Sequence, residues 1–128
     1  MIISESESQK IFQCARFLEH KGYTRNIGNA TIVYSDDGIN FVITYEPNSN
    51  ISDVSIKLVK QSGMYSVGWI ACVRSGLNVN PHQRLENVIV LLSYIRENYS
   101  IITNIDYCKE SNKLIDEFIA KETRKKMK

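Results

Sequence analysis

Two histidines, His20 and His82, and three cysteines, Cys14, Cys72 and Cys108, are the residues of this 128-residue chain best suited to metal or nucleophilic chemistry. Their spacing argues against both. No CxxC, HxxxH or HExxH pattern occurs, so a zinc site would have to be assembled from distant ligands. No G-x-S-x-G elbow and no glycine-rich phosphate loop is present, because Gly22, Gly28 and Gly38 stand too far apart to cradle a ligand. Cys72 lies among Ile70, Ala71 and Val73, where loss of water raises a thiol's pKa and disfavours the reactive thiolate. The expectation is a protein without catalytic residues, metal or cofactor, and therefore not an enzyme.

The acids are more suggestive. Asp36, Asp37, Glu46 and Asp53 all fall on turns or strand ends, the first two at one end of the expected sheet and the last two near the other. Separated in this way they do not form a catalytic pair. Turn chemistry and solubility account for them, and an acidic rim meeting a basic partner is the functional alternative. Trp69 and Arg74 belong to the residue types enriched in binding hot spots. Trp69, in mid-strand with Val67 and Ala71, is expected in the core, whereas Arg74 at the strand's end suits either an ion pair or a partner contact. The candidate partner-binding set is thus Asp36, Asp37, Glu46, Asp53 and Arg74.

Charge narrows the classes of partner. Lys121, Arg124, Lys125, Lys126 and Lys128 carry five of the sixteen cations, which leaves residues 1–120 with eleven cations against thirteen acids, a net of −2. A mildly acidic body with a basic tail is not a nucleic-acid-binding surface, and such tails are usually plain solvated ends. The apolar run Val88–Leu92 falls far short of the roughly 20 residues that span a bilayer. The opening Met-Ile-Ile-Ser-Glu-Ser-Glu-Ser lacks the cationic start and apolar stretch of a secretion signal. Three widely spaced cysteines suit a reducing compartment, and the cytoplasm is the expected location.

Periodicity supplies the elements. The spacing predicts a first helix over Glu5–Lys21, with Ser4 and Glu7 as a capping box, Ile11, Cys14, Ala15 and Leu18 on its buried face, and Gly22 ending it. Thr31–Ser35 and Ile39–Tyr45 flank Asp36-Asp37-Gly38 as a hairpin, with Gly38 supplying a positive φ. Residues from Glu46 to Asn50 read as a loop. Val54, Ile56 and Leu58 alternate with polar residues in a third strand, and Gln61-Ser62-Gly63 turns into a fourth, Met64–Arg74, apolar on both faces. A second helix follows, with Asn80 as N-cap, Pro81 at its first position and a stripe of Leu85, Val88, Ile89, Leu92, Ile95 and Tyr99 widened by Val90 and Leu91. After a break at Ser100–Asn104, a third helix from Ile105 carries Cys108, Ser111, Leu114, Ile115, Phe118 and Ile119. The fold class is α+β: a four-stranded antiparallel meander with one N-terminal and two C-terminal helices packed on it. Residues 1–120 form the single domain and 121–128 a fraying tail.

Phe41-x-Val-x-Tyr45-Glu46-Pro47, Ser52-Asp53-Val54, Val67-Gly68-Trp69-Ile70-Ala71-x-Val73-Arg74 and the Leu85-Glu86-Asn87-Val88 helix together resemble small immunity proteins encoded beside bacterial polymorphic toxins. The resemblance spans Phe41 to Ile119. It implies a cytoplasmic protein that binds a cognate toxin domain, such as a basic nuclease, and blocks it by direct contact; it transfers no functional residues. Two other expectations stand beside it. One is a self-associating module, a homodimer built on the fourth strand. The other is a nucleic-acid binder acting through Lys121–Lys128, which would bind in a salt-sensitive way.

Overall fold

The computed structural model describes residues 3–46, 51–58, 63–78 and 80–126. The chain is α+β with an antiparallel sheet, as expected, but among the described residues the sheet has five strands in sequential order: β1 (Thr24–Ile27), β2 (Thr31–Ser35), β3 (Ile39–Glu46), β4 (Ile51–Leu58) and the two-residue β5 (Tyr65–Ser66). Strand β1 pairs with β2 from Thr24↔Ser35 to Ile27↔Ile32. It escaped the sequence reading because Thr-Arg-Asn-Ile shows no apolar alternation, and all four residues are exposed on the sheet's edge. In the β2–β3 hairpin, Asp36 Oδ1 accepts the N–H groups of Gly38 at 2.9 Å and Ile39 at 2.7 Å. That carboxylate holds the turn, and Gly38, contrary to expectation, does not adopt a positive φ.

Alternation in β2, β3 and β4 does what period two requires. Ile32, Tyr34, Phe41, Ile43, Tyr45, Val54 and Ile56 are fully buried on one face, while Val33, Val42, Thr44 and Ser55 on the other are half-buried. The helices cover the first face. Helix α1 (Glu5–Cys14) starts as expected, the Ser4 hydroxyl accepting the Glu7 N–H at 3.2 Å. The expected single helix to Lys21 instead tightens at Ala15 (φ −94°, ψ 4°), where Leu18 N–H bonds the Ala15 carbonyl, and resumes as α2 (Arg16–His20). The buried stripe of Ile11, Ala15 and Leu18 survives this break, and Gly22 ends the segment at φ 97°.

The largest departure is the expected fourth strand. Only Tyr65 and Ser66 are strand; Val67–Ser75 is a helix, α3. The Ser66 hydroxyl caps its start by accepting the Trp69 N–H. Gly76 (φ 66°) ends it, and the N–H groups of Gly76 and Leu77 bond back to the Cys72 and Ala71 carbonyls. A short run that is apolar all round fits a buried helix as well as a doubly covered strand, and periodicity alone does not separate them. Ser66 and Gly76, placed as N-cap and C-cap, were the discriminating signals.

Helix α4 (Arg84–Glu97) lies on β4 and against α1. It begins later than expected: Asn80 caps a turn through its side-chain bond to the His82 N–H, and the Pro81 carbonyl is engaged by Ser52 of β4. Its buried face is Asn87, Val88, Leu91, Leu92, Tyr94 and Ile95, rotated relative to the expected stripe, with Val90 outside. The expected break contains a one-turn helix, α5 (Tyr99–Ile102), and α6 (Ile105–Lys126) packs against α3. Cys108, Ser111 and Ile115 are buried, but Phe118 and Ile119 are not. Helix α6 continues past Ala120, so that residues 121–126 are helical where a fraying tail was expected. The expected loop residues 47–50, and Gln61 and Ser62 of the expected turn, lie outside the described residues.

Candidate binding cleft

Strand β5 pairs with β4 only at Ser55↔Ser66 and Ile56↔Tyr65, so the first residues of β4 lack a neighbouring strand on that side. Three of their backbone groups find partners outside the sheet. Ser52 N–H bonds the Pro81 carbonyl at 3.0 Å. The Ser52 carbonyl accepts Asn87 Nδ2 at 2.8 Å, and Val54 N–H bonds the Asp53 carboxylate at 2.8 Å. Such local partners stop an edge from pairing with another chain.

Between this edge, α3 and the segment leading to α4 opens a cleft of about 340 Å3. Ile51, Trp69, Leu77 and Pro81 give it apolar walls, and Asp53, Ser66, Cys72 and Asn87 place polar atoms along it. Asp53 sits where the N-terminus of α3 meets β4. Its Oδ2 accepts Ser66 Oγ at 2.5 Å, and its Oδ1 accepts Gly68 N–H at 3.2 Å in addition to Val54 N–H. Burial pushes this carboxyl above the usual carboxylate range, although the three hydrogen bonds act to lower it.

Gly68 makes that approach feasible. A Cβ there would lie 2.9 Å from Asp53 Oδ1, an oxygen pinned by two N–H groups. Alanine normally favours a helix over glycine by about 1 kcal/mol. Here Gly68→Ala is expected to destabilise the fold by roughly 1–2 kcal/mol through the displaced carboxylate. Urea denaturation checks this, and a stabilised variant would show that the carboxylate swings away freely.

Trp69, expected in the core, is 41% exposed. It walls the cleft and stacks edge-on against Phe118 of α6, with ring centroids 6.0 Å apart at 62°. Phe118 is 38% and Ile119 44% exposed, so apolar surface extends from the cleft onto the outer end of α6.

The five residues singled out as partner contacts do not converge. Asp36 and Asp37 line a shallow depression with Lys21 and Thr24 at the hairpin end. Glu46 is exposed at the far end of β3, opposite Ile51. Asp53 is engaged by α3 as described. Arg74, in the last turn of α3 and not at a strand end, donates to Ser111 Oγ at 3.0 Å and to the Tyr107 carbonyl at 3.4 Å. It also lies 3.6 Å from Glu110 and over the Tyr107 ring, tying α3 to α6. Both histidines are exposed, and burial pushes the Cys108 thiol up to about 11. Among the described residues, no group of three or more His, Cys, Asp or Glu could hold a metal ion. No helix among them is long and apolar enough to cross a membrane. Sequence reasoning misses the cleft because its walls come from segments brought together only by the fold.

No family model, no curated protein and no solved structure matches the chain.

Proposed function

We propose that this protein is an immunity protein that neutralises a cognate bacterial toxin domain by direct contact, and that Trp69 and Phe118 anchor the toxin. The observation that carries the reading is the exposed, stacked aromatic pair beside an open cleft. Continuous apolar surface around a tryptophan is the usual composition of an interface centre, where aromatic residues supply much of the affinity. The sequence resemblance supports the same reading. The slightly acidic body of residues 1–120 suits a basic partner, because complementary charge speeds encounter. A homodimer built on the fourth strand loses its element, since that segment is helix α3.

Co-expression with the product of the adjacent upstream gene tests the proposal. Wild-type protein is expected to form a complex and restore growth. Trp69→Ala is expected to weaken the complex on the order of a hundredfold, with circular dichroism showing that the variant remains folded. Failure to bind or to protect, or unchanged affinity in Trp69→Ala, would overturn it.

A further inference from the structure

The hydrogens and lone pairs of the cleft are unevenly used. Asn87 Nδ2 donates to the carbonyl and hydroxyl of Ser52, at 2.8 and 3.1 Å. Ser52 Oγ donates to the Arg84 carbonyl, and Ser66 Oγ donates to Asp53. The wall's side-chain donors on these residues are therefore already engaged. What these residues keep unused is acceptor capacity. Asn87 is 3% exposed, yet its Oδ1 has no hydrogen-bond partner. The Asp53 carboxylate accepts three hydrogen bonds but, among the described residues, forms no ion pair. A buried acceptor without a donor is costly, and a carboxylate facing an apolar wall is costlier. Beside them stands the half-exposed indole of Trp69, whose face attracts cations.

From a carboxylate without an ion pair, set beside an indole face and an apolar wall, we infer that the cleft receives an organic cation on an aliphatic stem, namely a lysine or arginine side chain presented by the partner. Its stem packs on Ile51, Leu77 and Pro81, and its N–H groups donate to Asp53 while the charge lies against Trp69. The volume agrees: about 340 Å3 is at the small end of the roughly 300–1,000 Å3 typical of small-ligand sites, enough for one side chain. A cation also relieves the burial that now disfavours the ionised carboxyl. The identity of the donor rests on the toxin-binding reading above; the chemistry of the cleft does not.

Trp69 is the only tryptophan in the chain, so its fluorescence reports on the cleft directly. Titration of the purified protein with n-butylguanidinium is expected to change the emission saturably, at least tenfold more tightly than the neutral N-butylurea and the anionic pentanoate. Asp53→Asn, which can still accept the Val54 and Gly68 N–H groups, is expected to lose that preference. In wild-type protein, nuclear magnetic resonance is expected to show the Gly68 amide and the Asn87 side-chain amide shifting with n-butylguanidinium, which decides the matter even if Asp53→Asn fails to fold. Equal or tighter binding of N-butylurea or pentanoate, or no saturable change with any probe, overturns the inference. If cation binding fails while Trp69→Ala still weakens the toxin complex, the docking surface stands and the cation does not. If the cation binds and no toxin does, the cleft stands and the partner reading falls.

Discussion

Asp53→Ala is expected to lower the free energy of unfolding by about 3 kcal/mol, because one truncation unsatisfies three donors at once. Val54 N–H, Gly68 N–H and Ser66 Oγ all depend on this carboxylate. Ser66 is itself the cap of α3, so the start of that helix loosens with it. Asp53→Asn should cost far less, because an amide oxygen still accepts the two N–H groups and burial no longer works against a charge. Equilibrium denaturation of the pair at neutral pH checks the contrast, and similar losses in both variants would mean that charge matters more than geometry. The same carboxyl gives stability a pH dependence. Since burial raises its pKa in the folded state, the folded chain holds an extra proton between the ordinary carboxylate pKa and the raised one. The stabilising contribution is complete below the ordinary value and is lost as pH rises through the raised one. Asp53→Asn should remove that component from the stability–pH profile.

Phe41→Ala is expected to cost about 4 kcal/mol, the upper part of the range for truncating a buried aromatic ring. Phe41 is fully buried, and its ring centroid lies 5.7 Å from that of Tyr23 and 6.5 Å from that of Tyr99. The two tyrosine hydroxyls are 2.8 Å apart, and the Lys21 ammonium sits 4.2 Å from the centre of the Tyr99 ring. Phe41 therefore joins β3 to the entry of β1 and to α5, and its loss leaves a void that the two remaining rigid rings cannot easily close. Thermal unfolding measures this directly. A loss below about 2 kcal/mol, the low end for such truncations, would show that Tyr23 and Tyr99 collapse into the space.

Much of this architecture is legible before any coordinates. Ser4, Gly22 and the Asp36 turn mark boundaries through local chemistry, and β3 and β4 alternate cleanly enough to assign their inner faces. Legibility ends where local chemistry is silent. Strand β1 is strand because β2 pairs with it, not because of its own residues. Asn80 and Pro81 look like a helix start in isolation, yet β4 claims the Pro81 carbonyl. Val67–Ser75 carries no period at all, and only its caps betray a helix. The cleft depends on that helix, so misassigning one segment hid both the exposure of Trp69 and the encounter of Asp53 with Gly68. In the sequence Asp53 stands out by its charge, whereas the structure uses it first for its lone pairs.

The sealing of β4 also has a consequence during synthesis. Pro81 and Asn87, which satisfy Ser52, both follow it in the chain and emerge from the ribosome later. Until they arrive, a nascent chain that already holds β1 to β4 presents a bare strand margin to its neighbours, and crowded polysomes or rapid refolding from denaturant should lose material at that stage.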